Sequence, residues 1–171
     1  MKHYKIHRTI HRWLGIIFAI ALINISITGL LLLEKKKFDW IQPPTQKGTE
    51  GTVDKFITNQ RLFKVVFDEN HPDFKNIEDI DRVDFRPGKR VFKVRSKNNY
   101  SEIQVDAVNG NILSIAKRNS DRIEAIHDGS IFGELTHQIF MPLVAVTTVI
   151  LTITGLYLWL APAIKRKKAR Q

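Results

Sequence analysis

His11-Arg12-Trp13-Leu14-Gly15 opens an apolar run that closes on Ile27-Thr28-Gly29-Leu30-Leu31-Leu32-Leu33. The chain then repeats the arrangement, with His137-Gln138-Ile139 opening a second run that closes on Ile153-Thr154-Gly155-Leu156-Tyr157-Leu158-Trp159. In each copy the histidine precedes the glycine by 18 residues. At 100° per residue that is five whole helical turns, so histidine and glycine share one helix face. Each copy pairs a candidate metal ligand at its start with a gap at its end.

Outward from these motifs, residues 13–33 are 21 consecutive residues without a charge and residues 139–160 are 22 more. At about 1.5 Å per residue either run crosses a hydrocarbon core. The first run is longer than a signal peptide's apolar core, and no small-x-small cleavage site follows Leu33, so it reads as an uncleaved anchor. Asn24, Ser26 and Thr28 interrupt it. Polar groups in hydrocarbon need partners, and that side is expected to meet another helix or a ligand. Gly15, Phe18, Leu22 and Gly29 lie along the face of His11, where the glycines would admit either a close-packed helix or a flat macrocycle.

A formal charge of +10 invites nucleic acid, but its distribution argues against that partner. Lys2, Lys5, Arg8 and Arg12 crowd residues 1–12, and Lys165, Arg166, Lys167, Lys168 and Arg170 crowd residues 161–171, with no acid in either tail. All 17 acidic residues lie between 34 and 138, against 18 basic ones. The excess is a topology signal that puts both tails in the cytoplasm and the intervening residues outside. The chain has no cysteine, which excludes disulfides, thiolate metal sites and iron–sulfur clusters. Histidine is left as the nitrogen ligand.

Between the spans, residues 34–51 read as a linker, with Trp40 as an interface anchor and Pro43-Pro44 stiffening the path. Residues 52–118 read as a small α+β domain, one helix capped by Thr52 and packed on an antiparallel meander. Its strands are expected around Ile80–Phe85, Val91–Val94, Tyr100–Val105 and Ile112–Ile115. Its carboxylates are expected on solvated strand faces, and His71 in a turn. Residues 119–138 read as an interfacial segment capped by Ser120 or Asp121 and broken at Gly129 and Gly133. His127 and His137 then fall near one membrane surface, and His7 and His11 near the other.

The His11–Gly15 motif, the Thr28-Gly29 and Thr154-Gly155 span ends, Asp106-Ala107-Val108-Asn109-Gly110-Asn111 and Ile126-His127-Asp128-Gly129 with Phe132-Gly133, taken in order, resemble the PepSY-associated transmembrane family. The resemblance covers almost the whole chain. It implies a membrane protein with a PepSY-like extracytoplasmic domain in the cytoplasmic membrane of a bacterium. Larger members usually have four spans and include haem-containing proteins that reduce ferric siderophores, with histidines at the span ends. It carries the family's ligand positions onto His11 and His127. The internal repeat favours His137 as outer ligand instead, so His11 and His127 rank first, His137 next and His7 fourth, with Gly29 and Gly155 as gaps beside haem b.

A pair of helices cannot surround a porphyrin, so the expected assembly is a homodimer or a complex with another membrane subunit. The two ends of a span lie roughly 27 Å apart by helix rise, a separation that calls for two haems to relay electrons. The expected activity is electron transfer across the membrane to a ferric chelate such as a siderophore. The alternatives are a non-catalytic module that restrains a peptidase or tunes an envelope sensor, and a structural subunit of an iron-uptake complex.

Overall fold

A computed structural model describes residues 2–168 of the chain, so Arg170 of the basic tail lies outside the described residues. The chain divides into two compact units, one made of Met1–Leu30 with Glu124–Gln171 and the other of Leu31–Ile123.

The first unit is built on two long helices, α1 (Lys2–Leu33) and α4 (Met141–Lys168). The apolar spans within them run from His3 to Leu33 and from Thr136 to Lys165, 31 and 30 residues, with 11% and 17% of their most apolar windows buried by the protein itself. A core helix of a water-soluble protein would be mostly covered by its own chain. These are largely uncovered by their own chain, and at about 1.5 Å per residue each exceeds the roughly 30 Å hydrocarbon core, so they are membrane spans with protruding polar ends. Helical geometry follows from the solvent, because backbone N–H and C=O groups in hydrocarbon must be satisfied within the segment. Before α4 comes a short π-helical stretch, Thr136–Phe140.

The second unit carries the sheet. Strands β1 (Ile80–Arg86), β2 (Val91–Ser96), β3 (Ser101–Asp106) and β4 (Ile112–Lys117) form an antiparallel meander in chain order. Two turns of the meander are bent by local chemistry. Asn99 and Tyr100 both take the left-handed conformation between β2 and β3, and Gly110 does so before β4. Helix α2 (Asn59–Asp68) lays Leu62 and Val66 on one sheet face, against Phe74, Val94, Ile103 and Val105, all fully buried. Each such side chain contributes about 1.5–3 kcal/mol on burial. The cap of α2 is Thr58, whose hydroxyl accepts from the Arg61 N–H at 3.3 Å. Thr52, expected as the cap, precedes only a short 3₁₀ turn at Val53–Lys55. The helix therefore starts later than the apolar spacing suggested, after the chain has passed Ile57 into the core.

The opposite sheet face is also buried, and it is polar. Glu102 on β3 lies 3.2 Å from the Lys93 ammonium and 3.0 Å from the Arg118 guanidinium, and Arg118 in turn holds Asp121 at the start of α3 (Asn119–His127). Arg95 reaches Asp84 at 2.7 Å. Burial pushes the Lys93 ammonium down from its ordinary value, with Glu102 opposing. Three carboxylates expected in solvent, those of Asp73, Glu102 and Asp106, are buried. Period-two alternation shows which residues share a face; it does not show that both faces are covered.

The cover comes from residues 41–49. The segment has no helix or strand of its own, as a linker should, yet it is pinned along the sheet. Ile41 is fully buried. The Gln46 N–H donates to the Gln104 side-chain oxygen at 2.8 Å, and the Gln104 amide donates back to the Pro44 carbonyl at 3.0 Å. Thr49 gives both its N–H and its hydroxyl to the Asp106 carboxylate, at 2.8 and 2.6 Å. Between them Gly48 donates to the Lys89 carbonyl at 2.8 Å, so close to the strand that any Cβ would overlap the Arg90 carbonyl oxygen. Burial raises the Asp106 carboxyl, but the donors of Thr49, Val108 and Asn109 outweigh it and hold the group below its ordinary value.

Candidate functional site

The histidines of the spanning unit are placed by threonines. His11 Nδ1 lies 2.9 Å from the Thr154 hydroxyl, and His127 Nδ1 lies 2.8 Å from the Thr28 hydroxyl. The two arrangements mirror one another. A Cβ built on Gly155 would meet His11 Cε1 at 3.2 Å, and one on Gly29 would meet His127 Cε1 at 3.5 Å. Each imidazole thus lies over a glycine and is bonded by the threonine just before it.

Each threonine hydroxyl also lies within bonding distance of a carbonyl one turn back, Thr154 with Ile150 at 2.7 Å and Thr28 with Asn24 at 2.6 Å. A hydroxyl has a single donor proton and two acceptor lone pairs. With that proton on the carbonyl, each hydroxyl accepts from the histidine Nδ1–H, the arrangement in which a neutral ring keeps the Nε2 lone pair free. Among the described residues Nε2 of neither ring has a hydrogen-bond partner. That is the state of a metal-ligating imidazole, oriented by a hydrogen bond from its other nitrogen.

Packing around these pairs fixes the helices. The Asn24 amide donates to the Ile126 carbonyl at 3.2 Å, setting the last turn of α3 beside α1. Thr28 is buried, so two of the three polar interruptions in the first span meet a neighbouring element as expected. The third, Ser26, turns back to the Leu22 carbonyl. Phe18 stacks on Phe140 with ring centres 6.1 Å apart, and Gly15 faces Leu151. Thr147 and Thr154 on α4 are also buried.

The remaining histidines lie elsewhere. His137, favoured by the internal repeat, turns to the Asp128 carbonyl at 3.0 Å and is about half exposed. It is His127 that takes the place opposite Thr28-Gly29. The π-helical stretch Thr136–Phe140 contains His137 itself, and a wider turn breaks the 100° phase on which the 18-residue spacing depended. His7, one turn before His11, packs its ring against Tyr157 at 4.7 Å. His71 accepts from the Asp73 N–H in a turn of the sheet unit. Among the described residues no three histidine or carboxylate side chains gather into a metal cluster. The gaps at Gly29 and Gly155 are approached by the imidazoles of His127 and His11. The partners missed by sequence reasoning are Thr28 and Thr154; the doubled Thr-Gly pair was their signal.

These features define a membrane protein with two spans among the described residues, in which His11 on α1 and His127 on α3 each meet a Thr-Gly pair, at opposite ends of the spans. A family model described as the PepSY-associated TM region matches residues 8–171, and the chain belongs to that family. A comparison with curated proteins finds none that matches.

Proposed function

We propose that the protein binds haem b through His11 and His127 and passes electrons across the membrane, with both tails in the cytoplasm and the sheet unit outside. The observation that carries this is the doubled geometry in which each imidazole bonds a threonine hydroxyl through Nδ1 beside a glycine, with Nε2 unpartnered among the described residues. His11 and His127 would hold the haem, which when bound would supply one-electron chemistry. The chain's own residues do the rest. Thr154 and Thr28 orient the rings, and Gly155 and Gly29 let the Cε1–Nδ1 edges of the imidazoles approach the neighbouring helix closely. The levels of His11 and Thr28 on α1 differ by 17 residues, about 25 Å.

One chain offers one such histidine at each level, and ligation by a pair of imidazoles would draw the second from another chain. A parallel homodimer about an axis along the membrane normal sets His11 opposite the second copy's His11 and His127 opposite its His127, an isologous arrangement. The acceptor on this reading is a ferric chelate, such as a ferric siderophore, reduced to the ferrous state by one electron. The donor is cytoplasmic or a membrane quinol.

The test is an absorption spectrum and pyridine haemochrome assay on the full chain purified in detergent after expression with ample haem. A Soret band is expected, with His11→Ala and His127→Ala each losing about half the haem and His137→Ala retaining it. A colourless protein, or haem content unchanged in both variants, would overturn the proposal and leave the non-catalytic module.

A further inference from the structure

A second feature of the spanning unit is unrelated to the two histidine pairs. At the end where α1 begins and α4 finishes, a cavity of about 550 Å³ opens between the helices, lined by Tyr4, Lys5, Arg8, Tyr157, Ala161 and Lys165, with His3 also contributing. Its depth follows from the sequence. Lys5 and Arg8 precede Trp13, where the uncharged run starts, and Ala161 and Lys165 follow Leu160, where the other ends. Lys5, Arg8 and Lys165 lie five to eight residues of helix, about 7–12 Å, past these limits, whereas Tyr157 lies within the uncharged run, so the lining spans the boundary between hydrocarbon and headgroup layer of one leaflet.

Its charge is uncompensated. No acidic residue occurs before Glu34 or after Glu134, and among the described residues neither Lys5, Arg8 nor Lys165 has a salt-bridge partner. The contrast with the sheet unit is plain, since Lys93, Arg95 and Arg118 there each face a carboxylate. Three cations converging from two helices on one cavity, over a floor of tyrosine rings and Ala161, offer charge to a phosphate and apolar surface to what is attached to it.

We propose that this cavity binds the headgroup of an anionic phospholipid, with Lys5, Arg8 and Lys165 around the phosphate diester and Tyr4 and Tyr157 against the glycerol and upper acyl chain. A zwitterionic headgroup carries its own cation and gains much less from these residues. A free phosphate matches the charge but leaves the apolar lining uncovered. The lipid would brace the ends of α1 and α4 beside the His7–Tyr157 contact.

Native mass spectrometry of the delipidated full chain in detergent tests this, with phosphatidylglycerol, phosphatidylcholine and inorganic phosphate as probes. Phosphatidylglycerol is expected to survive as a one-to-one adduct, and phosphatidylcholine is not. Removing one cation weakens retention about fivefold, and Lys5→Gln/Arg8→Gln/Lys165→Gln weakens it about a hundredfold. Lys35→Gln/Lys36→Gln, at the far end of α1, should leave retention unchanged, and Lys5→Arg should preserve it. Equal retention of phosphatidylcholine, equal loss in the far-end variant, or full displacement by millimolar inorganic phosphate would each overturn the proposal. Haem content plays no part in the readout, so the proposal stands or falls apart from the redox reading.

Discussion

Thr154→Val removes one oxygen and keeps the shape of the side chain, which makes it a direct probe of the histidine lock. In the wild type His11 Nδ1 lies 2.9 Å from Thr154 Oγ1, and a hydroxyl proton committed to the Ile150 carbonyl makes that oxygen the acceptor of an Nδ1–H. A net hydrogen bond contributes about 0.5–1.5 kcal/mol, so losing it shifts the balance between the two neutral tautomers by about two- to tenfold. The assay is nitrogen NMR of the full chain in detergent with labelled histidine, in which protonated and unprotonated ring nitrogens have well-separated shifts. The wild-type His11 signal should report Nδ1–H with unprotonated Nε2. Thr154→Val should move population toward Nε2–H, and Thr154→Ser should restore the wild-type pattern. A wild-type ring protonated on Nε2, or a valine variant indistinguishable from wild type, would refute the reasoning whether or not the protein binds haem.

Gly155→Ala and Gly29→Ala should differ in thermal stability, because alanine gains about 1 kcal/mol of helix propensity at both sites but crowds His11 at 3.2 Å and His127 only at an ordinary 3.5 Å. Light-scattering or fluorescence melts should place Gly155→Ala below Gly29→Ala; the reverse order would contradict the packing. Glu102→Gln leaves Lys93 and Arg118 buried without their shared carboxylate and should cost about 3–5 kcal/mol, read as an earlier denaturant midpoint by circular dichroism. The Asp73 and Asp106 carboxyls both sit below their ordinary values, Asp73 chiefly through the Ser101 hydroxyl with burial opposing. Depressed carboxyls contribute stability above the unfolded pKa of about 3.9 that is lost as pH falls through the folded value. Melting temperature should accordingly be flat above about pH 5 and fall below about pH 4, with Asp106→Asn less steep in acid and less stable at neutral pH.

The sequence made the spans and the meander legible for different reasons. Uncharged length alone identifies a helix in lipid, and the turn residues at Arg86–Lys89, Ser96–Asn99 and Val108–Asn111 bracket the strands. What it hid was the second covered face of the sheet. Glu102, Gln104 and Asp106 alternate with Ile103 and Val105 as solvent-facing residues would, and only the three-dimensional path of residues 41–49 reveals that they are enclosed. At the candidate site, His11 lies beside Thr154-Gly155, a meeting of the two repeats that opposite chain directions allow. The choice between His127 and His137 could not be made by periodicity, because the repeat assumes an unbroken helix and the stretch Thr136–Phe140 is wound differently.

The hydroxyls of Thr28 and Thr154 each lie within bonding distance of a carbonyl one turn back in the same helix, and a proton committed there makes each hydroxyl an acceptor toward its imidazole. Polarity along each carbonyl–hydroxyl–imidazole chain is therefore dictated by the main chain, and the permitted alphabet at positions 28 and 154 is short. Serine keeps the order of donor and acceptor, whereas alanine and valine erase it. Which edge of the ring stays bare is thus inherited from helix winding rather than from the histidine's own chemistry.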